Sequence, residues 1–310
     1  VPASVPSHER VSAPGIAFAI ASYLLWGVLP LLFLALPPTG APEIVAWRIV
    51  LSLAFCVILL TVTGGWSRFM ALVRDRVALG TLALAAVLVL INWSVYVYAT
   101  LTDHVIEASL GYFTNPIVTV LLGVLVLGER LRPMQWIAVG VSGIAVLVLA
   151  IGYGSFPWIA LTLAFSFGLY GLVKRRVGPR ADAIGGLTVE TAVLTPLAVV
   201  ALIVLASTTG LTMGAVSPLH TVLLASVGVA TAVPLLLFAA AARRIPLVYL
   251  GFAQYLAPAL QLGIGVVLLH EPMPIERWVG FAIVWVALAI LTVDMFRHRY
   301  SSQRTRKDEP

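Results

Sequence analysis

Apolar residues run in long stretches through the middle of this chain, and polar residues collect in short gaps between them. Breaks at glycine, proline and charge divide the sequence into ten runs: 15–36, 43–63, 79–101, 106–127, 133–152, 156–173, 184–206, 219–241, 247–269 and 277–296. A helix rising 1.5 Å per residue needs about 20 apolar residues to cross a hydrocarbon core about 30 Å thick. Each run therefore predicts a membrane-spanning helix, which satisfies its own backbone where no water is present. Prolines mark many of the ends: Pro37-Pro38, Pro42, Pro133, Pro157, Pro218 and Pro246. The sixth run is the shortest.

Composition agrees. The 310 residues are 61% hydrophobic and 10% charged, with a mean hydropathy of +1.04, whereas a soluble domain carries roughly 25% charged residues. The fold class expected is an all-α membrane protein. Cys56 has no second cysteine to pair with and lies in an apolar run, which makes it a small apolar filler. The sequence pI of 9.8 raises the question of nucleic acid, but the basic residues do not gather on one face. With the N-terminus inside, all of the 19 Lys and Arg except Arg48 and Arg277 fall on the inner side. Arg10, Arg68, Arg74, Arg76, Arg130, Arg132, Lys174, Arg175, Arg176, Arg180, Arg243 and Arg244 are in gaps or the N-terminal tail, and the remainder in the C-terminal tail. That asymmetry predicts a multi-pass protein of the cell membrane with both termini cytoplasmic. The N-terminal tail, 1–14, does not read as a signal peptide. The basic tail, 297–310, is expected to be disordered and weakly attracted to anionic lipid.

The two halves repeat. Asn115-Pro116, Gly128-Glu129 and Trp136 return 142 positions later as Ala257-Pro258, His270-Glu271 and Trp278. Five runs per half is an odd number, so equivalent loops lie on opposite sides of the membrane. The units 15–152 and 153–296 are expected to be two inverted five-helix repeats, related by a pseudo-twofold axis in the membrane plane. Such halves can rock about a shared central site, which points to a secondary transporter of a small-molecule substrate.

Several stretches carry a family likeness. They are Tyr23 to Leu31, Asn92-Trp93, Glu107 to Pro116, Leu163 to Gly171, Leu187 to Thr191 and Pro234 to Arg244. Together they resemble the EamA family of the drug/metabolite transporter superfamily, and more narrowly its RarD branch, often labelled chloramphenicol-sensitivity proteins. The resemblance covers nearly all of 15–296. It implies alternating access and export of a small organic metabolite or drug-like compound. It also implies that the first four helices of each repeat surround the pathway, leaving runs five and ten as scaffold or as the surface of a homodimer.

Polar residues inside the runs locate the candidate site. A charge at the helix centre costs about 2.5–3.5 kcal/mol on insertion scales. Arg48 and Glu190 correspond across the repeat and are expected on opposite sides of the midplane, Arg48 nearer the outside and Glu190 nearer the cytoplasm. Either both face a central cavity or each is locked to a neighbouring helix; a direct salt bridge would require both to stretch inward. Glu190 is also the proton-coupling candidate, since an intramembrane carboxylate can exchange a proton unless a cation holds it ionised. Pro116 and Pro258 fall mid-run and are candidate helix breaks or gates, freeing the carbonyls of Tyr112 and Gln254. Asn92 and Tyr96 share one helical face, and Trp26 matches Tyr170 across the repeat. Asn115, Gln254, Tyr255 and Gln261 complete the substrate-binding set. Glu43 and Glu107, in first turns, suit capping as well as function. Glu129 and Glu271 are read as packing or loop hydrogen bonding, and Asp294 as a solvated end charge.

Enzyme motifs are missing. There is no GxxxxGK[ST] for a nucleotide, and His270-Glu271 is followed by Pro-Met-Pro, unlike a zinc helix. The five histidines share no ligand spacing, so neither metal nor cofactor is expected. A lipid-modifying enzyme and a channel are the rival readings. The first lacks a reactive cluster at one leaflet, and the second does not call for inverted halves.

Overall fold

A computed structural model describes residues 12–127, 131, 133–153, 156–242, 244–245 and 253–307. Most of the N-terminal tail, the Gly128-Glu129 motif with Arg130 and Arg132, Pro246 and the start of the ninth run lie outside the described residues. The elements are α1 (Ala13–Leu34), α2 (Ala41–Val62), α3 (Trp66–Arg74), α4 (Arg76–Leu101), α5 (Val105–Leu127), α6 (Pro133–Tyr153), α7 (Trp158–Val177), α8 (Ala183–Thr208), α9 (Pro218–Ala242), α10 (Leu256–Gly263) and α11 (Ile275–Lys307). Among the described residues all regular structure is helical. Seven helices are long and apolar enough to cross a membrane: α1, α2, α4, α5, α8, α9 and α11. The remaining three runs contain helices too among the described residues, but the apolar parts of α6 and α10 are shorter, and the last turn of α7 holds Lys174, Arg175 and Arg176.

Local chemistry sets the ends. Ser12 accepts from the Gly15 N–H ahead of α1, Asp75 from Val77 and Ala78 ahead of α4, and Asp182 from Gly185 ahead of α8. Each occupies the N-cap position, where a short polar side chain meets the unpaired first-turn amides.

The bundle buries polar groups within an apolar core and is apolar without. Ser22, Ser52, Asn92, Thr100, Ser109, Glu190, Thr191 and Gln261 are buried, while Leu197, Val200, Ile203 and Val204 form an exposed stripe along α8. In water this arrangement would be unstable; against lipid tails it costs little. Helices pack in the pairs α1–α9 and α4–α7, α1–α10 and α5–α7, α2–α9 and α4–α8, with α2–α8 and α6–α11 closing the bundle. Close approach needs glycine at two crossings. A Cβ on Gly228 of α9 would lie 2.5 Å from the Leu51 carbonyl carbon, and one on Gly111 of α5 would lie 2.7 Å from the Ala160 carbonyl oxygen.

Four expectations change. The ninth run is not one helix, because turns at Gln254 and Tyr255 precede α10, and a π-helical turn, Ile264–Leu268, follows it. Pro258 consequently sits in the first turn of α10, where its missing N–H has no helical acceptor to lose, whereas α5 continues unbroken through Pro116. The C-terminal tail is helical to Lys307; α11 supplies the nucleus, and basic residues suit the negative end of the dipole. Asp294 is buried rather than solvated. Finally, the gap after α2 holds the short helix α3. Its Leu72 packs with Leu82, Val177 and Val189 at one end of the bundle, with Trp66 exposed.

Candidate functional site

Helical spacing delivers the site residues to one place. On α2 the buried positions Ile44, Arg48, Ser52, Cys56 and Leu60 recur every four residues, so one face carries both apolar packing and Arg48 towards α9. Ser52 donates to the Gly228 carbonyl at 3.3 Å. The Arg48 Nε donates to Thr231 Oγ1 at 2.8 Å. Its guanidinium lies 4.2 Å from the centre of the Trp93 ring and 5.8 Å from that of Phe33. Its Nη1 is buried and has no hydrogen-bond partner.

Tyrosines adjoin it. Phe33 lies between Arg48 and Tyr96, 5.8 Å from the guanidinium and 6.1 Å from the Tyr96 ring, and the rings of Tyr96 and Tyr112 meet edge to face at 5.6 Å. Gln261 on α10 donates to the Tyr96 hydroxyl at 3.0 Å and to the Trp26 carbonyl at 3.3 Å. The Tyr112 hydroxyl donates to Asn92 Oδ1 at 3.0 Å, and Asn92 donates in turn to Ser166 and to the Leu163 carbonyl on α7. The structure thus brings Arg48, Asn92, Tyr96, Tyr112 and Gln261 into one connected cluster, with Trp26 joining through its backbone. Its side chain packs instead on Tyr23 and Phe238.

Aromatic contacts carry the cluster on to Glu190. The Tyr112 ring meets Phe167 at 6.0 Å, and Phe167 meets Tyr170 at 5.9 Å. The Tyr170 hydroxyl donates to Glu190 at 3.1 Å, and Lys174 Nζ at 2.6 Å. Glu190 is 1% exposed and Lys174 31%, so the ammonium reaches back from the helix end on its own stem to meet a carboxylate held inside. The Arg48–Glu190 salt bridge is not formed, because Lys174 lies one turn from Tyr170 on the same face of α7 and takes the carboxylate first.

The remaining candidates separate. Asn115 presents a buried, unpartnered Oδ1 towards α7 near Gly168. Tyr255 leaves the cluster: it stacks on Phe113 at 6.3 Å, on the α11 side. Pairings that the spacing left out include Trp93, Phe33, Thr231 and Ser166. A usable signal existed for Lys174, four positions after Tyr170, and for Ser166, four before it as Ser22 is four before Trp26.

Three carboxylates act elsewhere. Glu271 accepts from the N–H groups of Val105 at 2.7 Å and Ile106 at 3.0 Å, and Glu107 from Ile159 at 3.1 Å and Ala160 at 3.4 Å. Glu43 accepts from Thr212, Met213 and the Trp47 indole. The first two thereby cap helices α5 and α7 from outside those helices. Burial pushes Glu271 above the ordinary carboxylate range, and its two N–H donors pull it back.

A small apolar cleft lies away from the central cluster, between Leu110, Thr114, Pro157 and Val284. An interior of connected polar groups inside an apolar helical shell suits a protein that handles polar solutes within a membrane. Residues 13–151 match the model of the EamA-like transporter family. The chain is similar to protein RarD of Streptomyces exfoliatus, 47% identical over 93% of this chain and 91% of that one. It is likewise similar to an uncharacterized transporter of Bacillus subtilis, 40% identical over 93% and 97%. A solved crystal structure of a protein at 19% identity shares the fold alone, with a TM-score of 0.58 over 90% of this chain and 97% of that chain. The chain belongs to the EamA-like transporter family, alongside the RarD proteins, and is a multi-pass membrane transporter.

Proposed function

We propose that the chain is a ten-helix secondary transporter of the cell membrane, both termini cytoplasmic, exporting a small organic metabolite or drug-like amphiphile without transforming it. Two inverted five-helix halves, 15–152 and 153–296, would expose the central cluster alternately to either side. The observation that carries this reading is the composition of the cluster. Arg48, Asn92, Tyr96 and Tyr112 come from the first half, and Ser166, Tyr170, Glu190, Thr231 and Gln261 from the second. A site shared between halves changes shape whenever they rock.

Symmetry of contact supports the inversion. Ser22 donates to the Pro234 carbonyl as Asn92 bonds Ser166; Ser22 matches Ser166, and Asn92 matches Pro234, across the repeat. The helix pairs exchange in the same way, α1–α9 with α7–α4 and α1–α10 with α7–α5. Glu190 is retained as the proton-coupling candidate: protonation would release Lys174, whose tip can swing into water. Asn115 faces the pathway beside α7, whereas Gln254, Tyr255, Pro116 and Pro258 act through the packing and articulation of α5 and α10. The apolar outer faces contact the lipid bilayer, α6 and α11 offer a homodimer surface, and nucleic acid has no part.

The test is transport by the full chain in proteoliposomes across a panel of metabolites and amphiphiles, with and without a pH gradient. Saturable flux and counterflow are expected for at least one compound class. Flux without saturation or counterflow would indicate a channel, and a panel moving no faster than in empty liposomes would defeat the reading.

A further inference from the structure

We propose that the central site takes an organic anion, a small carboxylate-bearing compound with an apolar or aromatic body, and that Arg48 is its counter-charge. The inference rests on the transporter reading and deepens it. Arg48 is 3% exposed, and a guanidinium does not give up its proton within a protein. A buried cation is normally matched by a buried anion, because an uncompensated charge is strongly destabilising. Here no such partner is supplied among the described residues. Glu190 is taken by Lys174 and Tyr170. Glu43, five positions before Arg48 on α2, is taken by the Thr212 and Met213 amides and by Trp47.

What remains on Arg48 is specific. Thr231 uses Nε, and Trp93 covers one face of the plane, which offsets part of the cost of burial. Nη1 is left over. An outer N–H of a guanidinium whose carbon lies over a ring is suited to meet a carboxylate in the plane of the fork. Of the tyrosine hydroxyls nearby, Tyr112 donates to Asn92, whereas Tyr96 accepts from Gln261 and keeps its own O–H as a second, neutral donor; the rings serve as walls. Phe33, 6.1 Å from Tyr96, extends them. Apolar walls with one unmet charged donor describe a site for an amphiphilic anion. A cationic solute would be repelled, and a neutral one would leave the charge of Arg48 unmatched.

Matched probes test this on the detergent-solubilised full chain, by saturable binding and melting temperature. The probes are phenylacetate and hexanoate, their amides, phenethylamine, and sodium chloride as an inorganic anion. The carboxylates should bind at least about 10-fold more tightly than the amides or the amine, and chloride should not replace them. Arg48→Gln should weaken carboxylate binding about 10- to 100-fold while leaving the ligand-free melting temperature equal or higher, because an unmatched buried charge is gone. Arg48→Lys, cationic but without the fork, should fall between. The proposal is overturned if amide or amine matches its carboxylate, if chloride alone reproduces the effect, if neither carboxylate binds, or if Arg48→Gln lowers the melting temperature and leaves affinity intact. Neutral binding that is lost in Tyr96→Phe or Gln261→Ala would remove the anion class and keep the central site. Binding indifferent to Arg48, Tyr96 and Gln261 alike would remove the site itself.

Discussion

At Glu190 and Lys174 the two partners of one ion pair stand in different surroundings, and that asymmetry decides what each contributes. Lys174→Met leaves a carboxylate that is 1% exposed without its cation, a change that costs about 3–5 kcal/mol. Glu190→Gln leaves an ammonium at a helix end that can turn to water, so its cost should stay below about 1 kcal/mol. Thermal melts of the solubilised variants should rank them in that order, and the double variant should recover most of the loss. Equal destabilisation would mean that Lys174 is as enclosed as its partner. If Glu190 couples protons, Glu190→Gln should also abolish transport driven by a pH gradient while exchange at equal pH persists. The chain sequence alone made Arg48 and Glu190 conspicuous, because charge inside an apolar run is costly wherever the partner lies. It did not reveal their partners. Lys174 reads as one of three loop cations, and whether its tip returns into the bundle depends on helix packing that no spacing rule encodes.

Helices respond to the same residue type according to where it falls. Proline at 116 is absorbed within an unbroken α5, whereas Pro258 opens α10 just after the turns at Gln254 and Tyr255. Pro258→Ala should let α10 grow backwards across those turns and slow transport with normal membrane insertion. Pro116→Ala should have the smaller effect; equal transport by both variants and the parent would assign both prolines to packing. Steric fit acts at Gly228, where even a methyl group would meet the α2 backbone. Gly228→Ala should cost about 1–3 kcal/mol through overpacking, seen as a lower melting temperature, while Gly80→Ala, with open space at its Cβ, should not. Glu271 caps α5 from a loop, so Glu271→Ala should cost about 1–3 kcal/mol by stranding two amides. Glu271→Gln should fall between Glu271→Ala and the parent, since it keeps an acceptor for one amide but turns an NH2 donor towards the other. Apolar runs made the spanning helices legible, but not the broken α10, where glycine-free turns give no local warning, nor α3, too short to stand out from a loop.

For the molecule as a whole, the account stands or falls on inversion: two halves facing opposite ways around a site to which both contribute. The repeat and the basic-residue asymmetry are properties of the sequence, and the exchange of helix pairs is a property of the fold. Orientation in a bilayer adds the direct test. In a Cys56→Ser background, single cysteines in each loop of the full chain can be labelled in intact cells with a membrane-impermeant maleimide. Inversion predicts labelling near positions 40, 104, 154, 212 and 274 from outside. Positions near 70, 131, 178 and 244 should label only after the membrane is opened. Labelling near 178 in intact cells, together with 40, would place equivalent loops on the same side and contradict the inverted arrangement.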